Sequence, residues 1–321
     1  MKILKPKVII YGLGKFFEEN VDEIHNRYDV IGYCDANETK VQAHGAQGIK
    51  IEELSSQLNL CDYVLITVES FVHILTGLIE QYSIPAEKLR TYYAERFGAL
   101  GCRYYFHGEF SEDAIVVMAL QELGIRLEDA SYVDIGANHP IITNNSFTLY
   151  GCGACGTLVD PLPWSEYAAQ VARPRDTFKR VAVSDISRGK TSFFVCETEV
   201  LSSLSKEHFK HWKNHSISTQ YKEIECEVLG INDLLALLPY KPVVIFVDAE
   251  GEDTKIVKAL DYERYRPAII VVEICNYPKD ELAQLRFFLR EKGYELYAVT
   301  HDVNAIYVIN NQKKEQYPAV R

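Results

Sequence analysis

The sequence lacks the features of several large classes of protein. No apolar stretch approaches the roughly 20 residues that a membrane-spanning helix requires. Residues 1–7 are too few and too highly charged for a secretory signal peptide. Positive charge is scarce, because 34 Lys and Arg residues face 45 Asp and Glu residues and the formal net charge is −11. A phosphate backbone would repel such a chain, so we do not expect it to bind nucleic acid broadly. Because a membrane span and a signal peptide are both missing, we expect a cytoplasmic protein.

Paired cysteine motifs are also scarce. The chain has eight cysteines, which we expect to be reduced thiols, and Cys152 and Cys155 form a CxxC motif. A structural zinc site needs a second pair at matching spacing, so we interpret these two residues as part of a tight connection between a helix and a strand. The spaced histidines of "HFKHWKNH" (His208, His211 and His215) lie in a polar, Lys-rich stretch and predict a solvated segment.

Apolar runs alternate with amphipathic segments along the whole chain, which predicts an α/β protein. The 321 residues exceed what one hydrophobic core usually serves, so two domains are expected. Composition changes and periodicity breaks near residues 98–110, which we interpret as a linker. The predicted domains are residues 1–105 and residues 106–321, and both are expected to be Rossmann-like.

The first predicted domain begins with a strand, a glycine turn and a helix. Gly12 and Gly14 allow a sharp turn, and Asp35 ends the second strand about 20 residues later, where dinucleotide-binding units place a ribose-binding acid. Phe17 replaces the third glycine of that motif. With "YGLG", "GYCDAN" and "GIKI", this half resembles the small Rossmann-type domains of sugar-modifying and polysaccharide-biosynthesis enzymes. It could hold a nucleotide or nucleotide-sugar pocket, or it could only pack or form a homo-oligomer.

Acidic residues follow the apolar runs of the second predicted domain. Its predicted strands are "SYVDIGA", "GTLVDP", "RVAVSD", "VVIFVDAEG", "AIIVVEI", "YELYAVT" and "AIYVI". They predict an open, mostly parallel seven-stranded sheet whose ligand lies beyond the carboxyl ends of the strands. Several carboxylates at one edge would repel one another, so we expect a ligand rich in hydroxyl, amine or cationic groups there.

The order of these strand ends matches a known kind of cofactor site. A "DxGxN" turn, an acid after the next strand and a following "SD" match S-adenosylmethionine binding by class I methyltransferases. Residues 110–310 resemble the FkbM-type methyltransferases in "DIGANHP", "VDP", "VAVSD", "SSLS", "VDAEGED" and "RPAIIVVEI". The resemblance implies a seven-stranded class I methyltransferase sheet, S-adenosylmethionine as donor and O-methylation, commonly of a sugar or polyketide-like hydroxyl. We expect the acceptor to be a sugar, a sugar nucleotide or a glycan.

The resemblance also implies a role for individual residues at the donor. It places Asp134, Gly136 and Asn138 at the methionine end, Asp160 on the ribose, and Ser184 with Asp185 near the adenine.

One departure from the family pattern follows "DIGAN". His139 and Pro140 stand where a glycine often leads into the helix, and Pro140 removes a backbone donor. A residue that caps the delayed helix, namely Asn144, Asn145 or Ser146, is therefore expected to meet the methionine carboxylate.

Methyl transfer to an alkyl hydroxyl needs a base that takes the proton as the new bond forms. By the resemblance, Asp248 and Glu250 lie nearest the transferred methyl group, and on an extended segment they would project to the same side. Repulsion would raise one pKa and suit that group to act as the base, or the pair would hold a divalent cation. His139 is a second candidate base. Glu252 and Asp253 are predicted to begin the next helix.

Two features are assigned to the acceptor side. His301 follows the sixth predicted strand and could line the acceptor site. Residues 200–224 form a long polar connection that is interpreted either as a lid, with Trp212 and Tyr221 stacking on a sugar ring, or as an ordinary surface excursion.

Two other functions are considered. In one, the first domain is the active part of a nicotinamide-dependent sugar-nucleotide oxidoreductase or epimerase, which Phe17 in the glycine motif disfavours. In the other, the chain is a scaffold without catalytic activity in glycan assembly.

Overall fold

The computed structural model describes residues 5–100, 106–197, 201–206 and 220–310. The chain divides into two compact units, of which one is Met1–Leu100 with Trp164–Pro174 and the other is Gly101–Pro163 with Arg175–Arg321. The boundary predicted after residue 105 stays a prediction. Within the described residues, no helix is both long and apolar enough to cross a membrane.

The first unit is built on a four-stranded parallel sheet. Its strands are β1 (Lys7–Tyr11), β2 (Asp29–Cys34), β3 (Tyr63–Ile66) and β4 (Leu89–Thr91), in the order β2–β1–β3–β4. Its helices include α1 (Lys15–Arg27), α2 (Glu38–Gln42), α3 (Leu54–Gln57), α4 (Val72–Glu80) and α5 (Tyr92–Leu100). Phe17, which replaces the third glycine of the nucleotide motif, is a buried core residue of α1 and contacts Tyr33 edge to face.

The second unit contains the predicted seven-stranded sheet. Its strands are β5 (Tyr132–Ile135), β6 (Gly156–Val159), β7 (Thr177–Lys179), β11 (Val244–Val247), β12 (Ile269–Glu273), β13 (Tyr294–Thr300) and β14 (Asn304–Ile309). Their order is β13–β14–β12–β11–β5–β6–β7, and β14 is antiparallel to both neighbours. Every residue of β5, β6, β11 and β12 is buried, as expected for central strands with both faces covered. The α/β class and the seven-stranded sheet are confirmed.

Helices connect these strands along the chain. They are α6 (Glu112–Glu122), α7 (Phe147–Gly151), α8 (Pro163–Ala172), α9 (Ile231–Ala236), α10 (Asp253–Ala259) and α11 (Lys279–Glu291). Helix α8 groups largely with the first unit. Cys152 and Cys155 lie in the connection from α7 to β6, and neither forms a disulfide within the described part of the chain.

The third strand of the main sheet differs from the prediction. "RVAVSD" does contain a strand, β8 (Ala182–Ser184), but it pairs with β10 (Tyr221–Gly230) in a separate sheet. That sheet has the order β8–β10–β9, with β9 (Gly189–Cys196) antiparallel to β10. The place beside β6 belongs to β7, a short and partly exposed edge strand.

Candidate active site

The carboxyl ends of the central strands open into a cavity of about 470 Å³. It lies where the strand order reverses between β5 and β11, which is where open α/β sheets bind ligands. The volume is typical of small-molecule sites, which span roughly 300–1,000 Å³. The predicted site residues that line it are Asp134, Gly136, Asn138, Asn145, Asp160, Asp248 and Glu250.

Asp134, at the end of β5, is buried and ties down the loop that follows. It accepts hydrogen bonds from Asn144 Nδ2 (3.1 Å) and Ser146 Oγ (2.6 Å), and Asn144 Nδ2 also contacts the carbonyl of Ala137 (3.0 Å). Asn144 and Ser146, two of the three residues predicted to meet the methionine carboxylate, therefore hold this loop to the strand end. Asn145, the third, also lines the cavity.

Gly136 is required by the packing of two strand ends. Its φ is +79°, and a Cβ at this position would lie 1.7 Å from the backbone oxygen of Asp248. The family resemblance placed Gly136 at the methionine end of the donor. The structure gives a reason for the glycine itself, because the chain after β5 contacts the chain after β11 here.

Asp160, at the end of β6, is fixed at the cavity wall by backbone amides. Its Oδ2 accepts from the amide of Asn138 (2.9 Å) and its Oδ1 from the amide of Leu162 (2.8 Å). Asn138 has a left-handed φ of +43°, which turns its amide toward this carboxylate. Asn and Asp tolerate this conformation better than most residues do.

Three carboxylates meet where β11 and β12 end. Oxygen atoms of Asp248, Glu250 and Glu273 lie within 4.8 Å of one another, and all three residues line the cavity. Removal from water raises the pKa of each group well above its usual value. Repulsion between the carboxylates raises it further, and for Asp248 this repulsion comes mainly from Glu273 and Glu250. Glu273 ends β12, and no role was predicted for it from the sequence.

Glu250 adopts a left-handed conformation, with a φ of +47°, so its segment is not extended as predicted. Ser203 Oγ donates to the Glu250 carbonyl (2.7 Å). Asp253 accepts from the amides on both sides of Glu250, Ala249 (2.6 Å) and Gly251 (3.0 Å), and from Tyr277 Oη (2.9 Å). Asp253 does begin α10, as predicted, and it also holds Glu250 in its strained turn.

His139, the second candidate base, does not line the cavity. Its Nδ1 accepts from the amides of Ile141 (3.1 Å) and Ile142 (2.9 Å), and this bonding requires an Nδ1 without a proton. Burial lowers the pKa of His139 to about 4, so the ring is neutral near pH 7. The structure corrects the prediction: this histidine shapes the turn that precedes α7.

Ser184 and Asp185 are also outside the cavity lining. Ser184 Oγ contacts Asp185 (2.9 Å) and Glu252, while Arg188 bonds Ser184 (2.7 Å) and Asp185 (2.9 Å). Ser184 ends β8 of the small sheet and Asp185 follows it, so neither residue reaches the position that the third main-sheet strand would give it. Instead the preceding residues 181–183 line the cavity.

The structure describes some of the residues that were predicted to lie on the acceptor side. Phe110 lines the cavity, and His301 stacks on it with ring centroids 4.7 Å apart. Leu201, Ser202 and Leu204, from the predicted lid, line the cavity as well. Tyr221 begins β10 and packs edge to face on Phe194. Trp212, His208, His211 and His215 lie outside the described residues.

The first unit has a smaller cavity, which is lined by residues that follow β2. It measures about 180 Å³ and is lined in part by Asp35, Glu38 and Lys50. A Cβ on Gly12 would lie 2.3 Å from a methyl group of Val68, so this turn is covered by a side chain of its own unit. The volume is below the roughly 300 Å³ at which small-molecule sites begin.

The sheet order and the cavity at its switch point define a class I methyltransferase fold. The sequence model of the methyltransferase FkbM domain matches residues 134–296, which is more than half of the chain. The chain therefore belongs to the FkbM methyltransferase family, whose members are S-adenosylmethionine-dependent. The predicted resemblance to the FkbM-type methyltransferases and the predicted class of S-adenosylmethionine-dependent methyltransferase are confirmed. The resemblance predicted for the first half of the chain stays a prediction.

The solved structures to which the chain is similar are distant. A TehB-like SAM-dependent methyltransferase from Corynebacterium glutamicum is 12% identical, with 61% of this chain and 96% of that chain covered and a TM-score of 0.29. A DUF574 family protein from Streptomyces avermitilis is 12% identical, covering 62% and 80%, with a TM-score of 0.28. TnmH is 14% identical, covering 74% and 68%, with a TM-score of 0.26. No protein of curated function gives a significant match.

The residues at the cavity fit S-adenosylmethionine. Asn145 Oδ1 is buried and has no hydrogen-bond partner in the described part of the chain, so it can accept from a ligand hydroxyl or ammonium group. The fixed carboxylate of Asp160 suits a pair of ribose hydroxyls. Leu162, Val183 and Phe193 supply apolar surface for a planar ring.

Proposed function

We propose that the protein transfers a methyl group from S-adenosylmethionine to a hydroxyl of a sugar, a sugar nucleotide or a glycan. The main support is that Asp134, Asp160 and Asp248, from three separate strand ends, line one cavity. Family membership accounts for the donor. The acceptor class follows from the surplus of hydrogen-bond acceptors in the cavity, which suits a ligand rich in hydroxyl groups.

On the donor side, Asp160 holds the ribose hydroxyls, and the methionine end lies against Asp134, Gly136, Asn138 and Asn145. When bound, S-adenosylmethionine supplies a methyl group that its sulfonium sulfur makes electrophilic. Residues 181–183 take the place near the adenine that had been predicted for Ser184 and Asp185, since they and not those two residues line the cavity.

Asp248 is the base that takes the hydroxyl proton. Its raised pKa, caused by removal from water and by Glu273 and Glu250, makes it a stronger base than an exposed aspartate. Glu250 and Glu273 assist it by their negative charge, because oxygen atoms of the three groups lie within 4.8 Å of one another and repulsion favours the protonated form of Asp248.

A divalent cation is the second way in which the same three carboxylates could act. Hard oxygen ligands suit Mg²⁺ or Ca²⁺, and a bound cation would acidify the acceptor hydroxyl. Methyl transfer that continues in EDTA would favour the base, whereas a loss that Mg²⁺ restores would favour the cation.

For the first unit we propose a packing or assembly role. Its cavity of about 180 Å³ and the side chain over Gly12 argue against a dinucleotide. Tight NAD binding in a calorimetric titration would contradict this role and would revive the oxidoreductase.

The test of the proposed function exchanges one carboxylate. Asp248→Asn should keep its affinity for S-adenosylhomocysteine and lose methyl transfer by about 10²–10⁴-fold. Asp185→Asn is the matched control outside the cavity and should retain activity. Full activity of Asp248→Asn would rule out the base. Mass spectrometry of glycans from cells with and without the protein, which looks for one lost methyl group, would identify the acceptor.

A further inference from the structure

The cavity wall is strongly acidic. Its lining includes six carboxylates, namely Glu109, Asp134, Asp160, Asp248, Glu250 and Glu273. None of the described residues that line it is Lys, Arg or His. A ligand that enters this cavity therefore meets carboxyl groups from several strand ends at once, and a cation beside Asp248, Glu250 and Glu273 would favour their charged forms, which burial and repulsion otherwise disfavour.

The proposed donor does not neutralise this charge. S-adenosylmethionine carries one sulfonium, one ammonium and one carboxylate, which gives a net charge of about +1. Its expected partners, Asp134 and Asp160, are each fixed by local hydrogen bonds at the strand ends. The other four carboxylates remain for the acceptor.

Nearby cations of the described chain have other partners. Arg188 and Lys255 both bond Glu252, at 3.3 Å and 2.6 Å, and neither lines the cavity. Lys206 lies over the ring of Phe194, at 4.7 Å, and is not part of the lining either. A negatively charged acceptor would thus enter without a counterion from these residues.

Glu109 extends the acidic surface from the reacting groups to the loop before α6. Its carboxylate is close enough to add to the raised pKa of Glu250. Buried acids fix this loop on either side, because Asp113 accepts from the amide of His107 (2.5 Å) and Glu112 from that of Phe110 (3.0 Å).

Asn145 adds a neutral acceptor beside the same loop. A Cβ on Gly108 would lie 2.8 Å from Asn145 Oδ1, the buried oxygen that has no hydrogen-bond partner among the described residues. A buried acceptor of this kind can take a hydrogen bond from a ligand, and on the donor side that ligand is the methionine end of S-adenosylmethionine. An ammonium group has three donors and no acceptor, which matches the carboxylates that line the rest of the cavity.

We propose that the acceptor is an amino sugar without phosphate, whose ammonium group lies against Glu109 and Glu250 while a hydroxyl reaches Asp248. A sugar nucleotide is disfavoured, because its diphosphate would add about two negative charges to an acidic wall. This inference rests on the proposed function and narrows its acceptor.

The proposal is tested by measuring how sugar probes bind to the whole 321-residue chain, saturated with S-adenosylhomocysteine and kept in EDTA. The probes are methyl glycosides of the common amino hexoses, each as the free amine, the N-acetyl derivative and the N-acetyl 6-phosphate, followed by ligand-observed NMR and calorimetry. We expect at least one free amine to bind about 10-fold more tightly than its N-acetyl partner, and the phosphates to bind most weakly. Equal binding of amine and N-acetyl forms, tighter binding of a phosphate, or no binding by any amine would overturn the proposal.

Charge variants sharpen the result. Glu109→Gln should weaken binding of the amine about 10-fold and leave the N-acetyl derivative within 2-fold. Glu128→Gln, an exposed residue outside the cavity lining, should change neither. If Mg²⁺ makes a phosphate bind as tightly as the amine does in EDTA, the acids serve a metal and the proposal fails. Failure of S-adenosylhomocysteine to bind would instead contradict the proposed function.

Discussion

Two strand ends of this molecule have the same local structure and different surroundings. In the first unit, Gly12 turns the chain after β1, with a φ of +102° and its amide bonded to the carbonyl of Cys34 (3.0 Å). Asp35, after β2, accepts from the amides of Leu13 (2.6 Å) and Asn37 (2.8 Å).

The second unit repeats this arrangement. Gly136 turns the chain after β5, with its amide bonded to the carbonyl of Val159 (2.9 Å). Asp160, after β6, accepts from the amides of Asn138 and Leu162. A glycine turn clamped by an aspartate is therefore a way of closing two parallel strands, and it does not by itself identify a ligand.

The strand on the other side of the glycine makes the difference. In the first unit β3 leads to Val68, whose methyl group covers Gly12, and the cavity of about 180 Å³ is lined by residues after β2 and not by this turn. In the second unit β11 leads to Asp248, and the cavity measures about 470 Å³. The third strand end thus decides whether the same turn has room for a cofactor and what charge that cofactor meets.

The largest effect is expected from Gly136→Ala. Its new Cβ would lie 1.7 Å from a backbone oxygen, which cannot move without separating β5 from β11. We expect the second unit to lose more than about 3 kcal/mol of unfolding free energy. Denaturant unfolding with S-adenosylhomocysteine present would assign the transition to that unit.

Two other glycines separate clash from backbone strain. At Gly124 the φ is +72° and no atom lies within 4 Å of a new Cβ, so Gly124→Ala should lower the unfolding free energy by about 1 kcal/mol. Gly12→Ala meets a side-chain methyl that can rotate, so its cost should lie between the other two. A Gly136→Ala variant as stable as Gly124→Ala would refute the contact between the strand ends.

The two aspartates provide the next comparison. Asp160→Asn should weaken S-adenosylhomocysteine binding about 10–100-fold, because a ribose hydroxyl loses a charged acceptor. Asp35→Asn should leave that affinity unchanged while removing the equivalent clamp in the first unit. Calorimetry on both variants measures the difference. Equal losses would mean that the donor binds elsewhere or that both effects arise from unfolding.

Residue patterns predicted the central sheet well because its buried strands leave continuous apolar runs. All four central strands, β5, β6, β11 and β12, were predicted, and so were Asp134, Asp160 and Asp248 at the ends of three of them. β7 was missed because "TFK" is short and partly exposed, so it leaves little apolar signal. β8 has that signal, but pairing with β10 is a long-range contact that no local pattern reveals.

Two features of the site were missed because they also depend on tertiary contacts, and a third, Glu273, was missed although it has a local signal. The left-handed conformation of Glu250 depends on contacts with Ser203 and Asp253, and the neutral state of His139 depends on two amides that its turn directs inward. Glu273 could have been included, since an acid at the end of a buried strand was the signal used for Asp248.

Tyr277→Phe tests whether the clamp on Glu250 matters beyond folding. It removes one of the three hydrogen bonds to Asp253 and changes no residue of the cavity lining. We expect kcat to fall about 3–10-fold with unchanged affinity for S-adenosylhomocysteine. Tyr265→Phe is the control, since its buried hydroxyl has no hydrogen-bond partner among the described residues. Equal effects of the two exchanges on kcat would remove the positioning role of Asp253.

The smallest effect is expected on stability, from exchanging Glu273 in the carboxylate cluster where β11 and β12 end. Burial and the carboxylates of Glu250 and Asp253 raise the pKa of Glu273 well above that of an unfolded glutamate. Between those two values the folded protein holds more protons than the unfolded chain, so the unfolding free energy falls as pH rises. Glu273→Gln removes this dependence and should raise stability at pH 8 by about 1 kcal/mol, with little change near pH 4. Melting temperatures from pH 4 to 8 measure it, and parallel curves for the two proteins would show that Glu273 ionises as freely in the folded state as in the unfolded chain.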